Sequence, residues 1–557
     1  MEECLKLLKG QRDEQRLAGL LLATKFCKGD DHTSIFIRVY EAIGAQFLDR
    51  DLVIDECYEF LFLVSTSSDD GLAALYNFKG ISVFALDMSR LCDGSHPLEL
   101  AMRLVQLMLS KLPLERIYNE YATELSQMVV TIARQFALSH SGVKFEALYI
   151  LSTLLSSKYA APLHDALRLM SKEFWSTYLC VGIAAVLQNR VASREKMHAL
   201  ILAESMMSIL GEEWLIDQSN LPGEKEPFPV DRCLLLVLES ARVEVAVLLN
   251  ELAYLKYAAP EKSSAADITL KPQNLSIVFS LIEKIIKLIS NVSGGQGKCI
   301  DMNTIMKVIT GLDETIGVVL DFLQDAKEHG QRNGDDLLAS VRLVGSYLAE
   351  SPFALKEKVQ DLLEDILLIG GEDEPSPFYS LCFMLPFLCQ ITMEVEGCRI
   401  LARNEELKPV VDCLVKLIVP NSFADAKEYG IILLACDTIM NVLLKKEETS
   451  VELDDSSVVR LLTAFSCWTE FVTEPSVTMM ASSICSLIFE STSEEVLFTH
   501  PDFELRTMNN LSQLITRSLT AYYTEAEGGL YEIVTAGYTR WAHRFPHINE
   551  VVKRKNR

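Results

Sequence analysis

DDLLASVRLVGSYLAESPFALKEKVQDLLEDILL, residues 335–368, decides the fold class by its spacing. Leu337, Leu338, Val341, Val344, Tyr347 and Leu348 recur at steps of three and four, so at 3.6 residues per turn they line one helical face. Ser351 and Pro352 then punctuate the chain. A serine hydroxyl accepts from the free amides of a following helix, and a proline in a first helical turn loses no needed N–H. Leu355, Val359, Leu362, Leu363 and Ile366 repeat the stripe. A connection this short predicts two helices folded back side by side, each needing a neighbour to cover its apolar face.

The same pattern recurs in both directions. Leu17, Leu20 and Leu21 form a face ended by Gly29-Asp30, and Ile35, Phe36, Val39 and Ile43 form another stopped at Gly44. Further faces run over 52–64, from Leu98 to Pro113 and again from Ile117 onwards, over Phe145 to Leu155, and over Arg232 to Tyr257. Helices are predicted at 273–292 and 303–324 and, after the central pair, at 378–393, 407–419, 429–444, 457–471 and 477–488, with a last group between Phe503 and Phe545. Strand-like alternation is confined to Gly80–Leu86. Four polar segments, Asp217–Asp231, Ala258–Pro272, Gln324–Asp336 and Gly370–Pro377, have the Gly, Pro, Ser and charge content of connections.

The chain has 557 residues, 49% of them hydrophobic. Single cores stop growing near roughly 250–300 residues, so several domains or one elongated stack are required. Helical pairs about every 40 residues are the habit of armadillo and HEAT arrays, which would allow roughly a dozen units. The expected fold is therefore an all-α, armadillo/HEAT-like α-solenoid of antiparallel helix pairs. Its halves are expected at 1–257 and 273–545, joined by an exposed linker at 258–272 and followed by a basic tail at 546–557. Two unrelated helical domains joined near 258–272 are the competing arrangement.

A net charge of −25, from 77 acidic and 52 basic residues, repels phosphate backbones and anionic lipid, so nucleic acid is not an expected partner. The fourteen cysteines are scattered mostly through apolar helical runs without a C-x-x-C pair, the usage of reduced thiols in a cytoplasmic or nuclear protein. Glu2 and Glu3 stand where a secretion leader carries positive charge. The greasiest run, Leu381–Cys389, is interrupted by Pro386 and falls short of the ~20 apolar residues a membrane-spanning helix needs.

Patterns that would carry chemistry are incomplete. Gly294-Gly295-Gln296-Gly297-Lys298 lacks the earlier glycine and the Ser or Thr of a phosphate-cradling loop, having Val292 and Cys299 there, and reads as a turn. His543 and His547 have i, i+4 spacing but flank Pro546, and no His-Glu pair exists, so they read as polar surface. Cys382 and Cys389 share a face without a histidine and read as core. No G-x-S-x-G elbow occurs. Glu372-Asp373-Glu374 lacks the ligand spacing of a calcium loop and reads as a solvated connection. Lys553, Arg554, Lys555 and Arg557 read chiefly as solubilising, a nuclear signal or weak peripheral contact with anionic lipid being the alternatives. No catalytic, cofactor-binding or metal-ligating residue is assigned, no cofactor is implied, and no partner-binding residue is singled out. Trp175, Trp214, Trp468 and Trp541 are candidates either for interface anchors or for core.

Several blocks carry a family resemblance: LAGLLLATK at 17–25, EAIGAQF at 41–47, KFEALYILSTLL at 144–155, ARVEVAVLLNEL at 241–252 and ASVRLVGSYLAE at 339–350. In this order they resemble the neurochondrin family. FLDRDL at 47–52 departs from its pattern, and the blocks after Gly370 are less recognisable, so the chain reads as a divergent member, a plant one included. The resemblance implies an armadillo-like cytosolic protein without enzymatic activity. Animal members promote neurite outgrowth by binding partners, among them receptor tails and calmodulin-dependent kinase II, whose phosphorylation they restrain. The expected function is thus a scaffold that binds extended peptides or helices along a groove. An all-α enzyme or enzyme regulatory subunit, its site assembled from scattered side chains, is the alternative.

Overall fold

The apolar stripes become helices in the computed structural model. It describes residues 2–26, 38–39, 42, 54–67, 69–77, 79–170, 175–216, 229–258, 265–294, 300–373, 378–403, 407–418, 426–449, 453–471, 475–520 and 528–555. Residues 295–299, most of 217–231, Glu374 to Pro377, Arg557 and nearly all of EAIGAQF and FLDRDL lie outside them. Among the described residues the elements are helices, and the one β-type pairing is an isolated parallel bridge between Asn333 and Gly370.

Contacts gather the chain into two compact units, Met1–Leu248 with Ala265–Leu312, and Leu249–Ser264 with Asp313–Arg557. This division does not coincide with the expected linker. The predicted connection 258–272 is in part a helix, Ala265–Ser293, which runs through Pro272. A proline forfeits one helical hydrogen bond, and a helix of this length can continue past that loss.

In the first unit, Ile54–Ser67 packs on His96–Lys111, that on Val143–Ser156, and that on Ser193–Leu210. A second row places Gly80–Arg90 on Ala122–Leu138 and that on Trp175–Gln188. Each helix thus meets the third one after it. The repeating unit is three helices of about 40–50 residues, the armadillo arrangement, rather than the helix pair the sequence suggested. Polar contacts between successive repeats mark the same period. Lys111 pairs with Asp69 at 2.6 Å, Arg103 with Glu146 at 2.9 Å and Arg134 with Asp93 at 2.8 Å, while Tyr149 donates to Glu195. Partners in this ladder stand 41 to 46 residues apart.

The second unit stacks likewise. Phe378–Ile391 packs on Ala426–Leu444, then Pro475–Phe489, then Gly528–Trp541, with a parallel row through Leu407–Ile418, Asp455–Phe471, Leu505–Thr520 and Pro546–Lys555. Pro475–Phe489 is buried at every position from Val477 onward, as befits a helix enclosed on all sides. Its Ser482, Ser483 and Ser486 hydroxyls find partners on Ser518, Leu530 and Trp541.

Four expectations change. Gly80–Leu86 is helical, because Ile81, Phe84, Ala85 and Met88 bury a face at three- and four-residue steps. The Met302–Glu328 helix extends past Gln324 into the predicted loop. Residues 546–555 are not a free tail but a helix that buries Ile548 and Val552 against Leu505–Thr520. The fourth change concerns the central pair. Asp335–Glu350 ends at Ser351 as expected, but the next helix starts only at Lys356, after Leu355 at φ 50.

That four-residue bend separates the two helices, and Asp335–Glu350 packs chiefly against Phe378–Ile391. Gly345 explains the choice of neighbour. A Cβ there would stand 2.5 Å from the carbonyl oxygen of Phe383, so only glycine lets the two backbones cross this closely. At the open ends, Gly334 N–H donates to the Gly370 carbonyl at 3.0 Å and Gly370 N–H to that of Arg332 at 2.9 Å.

Candidate functional site

All four tryptophans are core residues, between 0% and 6% exposed, so none is an interface anchor. Trp541 sits among Phe489, Tyr538 and Phe545 and donates its indole N–H to Ser486 at 2.8 Å. His547 Nε2 meets Asn509 Oδ1 at 2.9 Å, and His543 lies on a 3₁₀ turn. Among the described residues no three His, Cys, Asp or Glu side chains are grouped to hold a metal ion, and no helix is long and apolar enough to cross a membrane. Cys389 is buried, as its apolar surroundings predict, while Cys382 is half-buried and faces Cys413.

A hollow of the second unit, about 740 Å³, lies where the C-terminal ends of two stacked helices meet the Gly528–Trp541 helix and the 3₁₀ turn after it. That volume lies in the range of small-molecule and peptide side-chain pockets. Its floor is Leu443, Val459, Ile488 and Leu497, and its rim carries Lys446, Arg540, Arg544 and His500 facing Glu447, Asp455 and Glu490.

The rim is organised by helix ends. Pro475–Phe489 finishes with carbonyls that lack intrahelical partners, and Arg544 Nη2 donates to two of them, Phe489 O at 3.1 Å and Glu490 O at 2.7 Å. Lys446 Nζ reaches the Leu487 carbonyl at 3.4 Å, so two cations lie at the negative end of that helix dipole. Glu490, directly after the helix, is held by Arg540 at 2.6 Å and by Lys446 at 3.7 Å. A carboxylate clasped by two cations joins three elements; it is not an unpaired base awaiting a proton. Arg540 keeps most of its guanidinium in solvent, with 63% of the side chain exposed.

A smaller apolar hollow of about 60 Å³ opens beside the bend of residues 352–355, between Phe353, Val359, Leu363, Phe387 and Ile391. Phe353 is 70% exposed. Sequence reasoning singled out neither hollow. Lys446, Glu490, Arg540 and Arg544 are unremarkable charges in sequence and converge only through stacking across repeats. The one available signal was the proximity of Lys446 and Glu490 to predicted helix ends.

A model of the Neurochondrin family matches residues 1–54 and 50–487. The neurochondrin of Xenopus laevis is 22% identical over 428 residues, covering 65% of this chain and 55% of its own length. That of Gallus gallus is 23% identical over 471 residues, covering 71% and 63%. The chain therefore spans only some three fifths of the curated relatives it matches. Among solved structures, one described as "A conserved phosphorylation switch controls the interaction between cadherin and beta-catenin in vitro and in vivo" aligns with 97% of this chain and 99% of its own, at a TM-score of 0.48 and 12% identity. A SYS-1/POP-1 complex aligns with 93% and 98%, at a TM-score of 0.42 and 10% identity. The family match runs through both units, over the blocks at 17–25, 144–155, 241–252 and 339–350 as well as the repeats that follow them, and on that match the chain belongs to the neurochondrin family.

Proposed function

We propose that this chain is a non-enzymatic adaptor that binds segments of partner proteins, and that the cleft rimmed by Lys446, Arg540, Arg544, Glu447 and Asp455 is one place where a segment is held. The observation that carries the reading is the cleft itself, an apolar floor under a rim charged with both signs. Such a rim suits an extended peptide or helix bearing both charges, since complementarity sets register and rejects wrong partners. Glu490 is bound within an ion-pair network and Arg544 by helix carbonyls, which supports recognition over catalysis. Cytoplasmic residence belongs to the same reading, supported by cysteines set within apolar helices.

Arg540→Glu combined with Asp455→Lys tests the site. Affinity capture on the full chain, read by quantitative proteomics, should lose a defined set of partners. An unchanged set after reversal sinks the cleft, and no partner surviving stringent washing sinks the adaptor reading as a whole.

The finer form of the proposal follows from family membership. In it the chain restrains the phosphorylation of calmodulin-dependent kinase II, as in neurite outgrowth. Purified kinase assayed with and without the chain decides this: an unaltered phosphorylation rate removes the kinase role and leaves partner binding standing.

A further inference from the structure

Two helices of the second unit, Phe378–Ile391 and Leu407–Ile418, bring a pair of thiols face to face, Cys382 Sγ lying 4.0 Å from Cys413 Sγ. The sequence separates these residues by thirty-one positions and gives no motif for them. Cys382 is half-buried, whereas Cys413 is buried. One turn along from Cys413 stands Lys416, whose ammonium lies 4.6 Å from the centre of the Phe378 ring, and Phe378 is itself one turn before Cys382. The ring thus keeps a cation over the helix face that carries the half-buried thiol.

We propose that Cys382 and Cys413 are an oxidisable dithiol: hydrogen peroxide converts Cys382 to a sulfenic acid, which Cys413 attacks to leave a disulfide between the two helices. In the first step the Cys382 thiolate attacks one peroxide oxygen, the O–O bond breaks, and the departing hydroxide takes up a proton as water. In the second, the Cys413 sulfur bonds to the Cys382 sulfur, the S–O bond breaks, and the Cys413 proton leaves with a second water. Two thiols lose two electrons and two protons in all, and one peroxide becomes two waters. The sulfurs must close from 4.0 Å to about 2.0 Å for the bond to form.

The environments of the other cysteines support the choice. Hydrogen bonding from Cys413 and the charge of Lys416 pull the Cys382 thiol down, against burial. Elsewhere, wherever surroundings displace a described cysteine, the displacement is upward. Burial pushes Cys389 up to about 11 and drives Cys436 and Cys485 further. Cys233 is raised by its contact with Cys180 and by burial. Thiolate is the reactive form, so Cys382 is the thiol set to react first.

The test treats the full chain with hydrogen peroxide under native conditions, blocks remaining thiols with N-ethylmaleimide, and maps the unreduced digest by mass spectrometry. The expected result is a Cys382–Cys413 cross-link that accumulates ahead of oxidation at Cys436 and Cys485 and reverts with dithiothreitol. In Cys413→Ser, dimedone should label Cys382. In Cys382→Ser, it should leave Cys413 unlabelled, and Lys416→Met should slow cross-linking several-fold. Absence of the cross-link, dimedone on Cys413 in place of Cys382, or equal oxidation of Cys436 and Cys485 overturns the proposal. Should a serine variant fail to fold, the order of oxidation in the unaltered chain decides by itself.

Discussion

Two contacts between successive repeats contrast, an exposed ion pair in the first unit and a close crossing of backbones in the second. Arg103 and Glu146, 2.9 Å apart, link successive repeats at a surface where 38% and 29% of their side chains remain exposed. Between Asp335–Glu350 and Phe378–Ile391 the corresponding contact is the absence of a side chain at Gly345. Exposed ion pairs contribute roughly 0.2–1 kcal/mol each, whereas loss or excess of buried volume costs about 1–5 kcal/mol. The two contacts therefore rest on different physics, and substitutions should separate them.

The sharpest contrast is expected at Trp541, where alanine removes a fully buried ring and leaves the Ser486 hydroxyl without its donor. Trp541→Ala should cost about 3–5 kcal/mol by denaturant unfolding of the full chain. A cost near that of a surface substitution would break the comparison.

Next comes a pH response in the first unit. Tyr118 is buried and donates to the Leu154 carbonyl at 2.8 Å, and burial pushes its hydroxyl up to about 12 from an ordinary 10.0. The folded state therefore holds its proton more tightly than the unfolded chain. The stabilisation is complete below pH ~10 and is lost as pH rises through about 12, amounting to about 2–3 kcal/mol. Stability measured across that window should fall in the parent chain, and Tyr118→Phe should flatten the fall.

Gly345→Val, which thrusts carbon into the Phe383 carbonyl, should cost about 1–3 kcal/mol in the same unfolding measurement. The smallest effect belongs to the ladder. Arg103→Met should cost under about 1 kcal/mol, and the cost should vanish in concentrated salt, because an exposed pair is screened. An Arg103 penalty equal to that of Gly345→Val, or one insensitive to salt, would erase the distinction between the two contacts.

Periodicity made the helices legible because apolar steps of three and four survive any tertiary context. It identified the faces of Asp335–Glu350 and Lys356–Leu367 correctly, down to Val341, Val344, Val359 and Ile366. It missed short third helices such as Ala161–Leu169, which makes only two and a half turns. It misread Gly80–Leu86 because Ile81 and Val83 alternate with Gly80 and Ser82, whereas the buried Ile81, Phe84, Ala85 and Met88 make a helical stripe. The partner of Asp335–Glu350 lay beyond local inference, as Gly345 reports the need for a close neighbour without naming it. The cleft and the thiol pair were hidden for the same reason: Lys446 with Arg540, and Cys382 with Cys413, become neighbours only when one repeat lies on the next.

The clasp at the open ends of 335–367 governs how that segment comes apart. Gly334 and Gly370 tie its two termini together, while Leu355, a branched residue held at φ 50, sits at the bend with Phe353 standing out beside it. Helices usually fray from their ends, where bonds are fewest. Here the ends are fastened and the strain is central, so local opening is expected to begin at the bend. The first peptide bonds offered to a protease would then be those around Phe353, in the middle of the family's most diagnostic stretch.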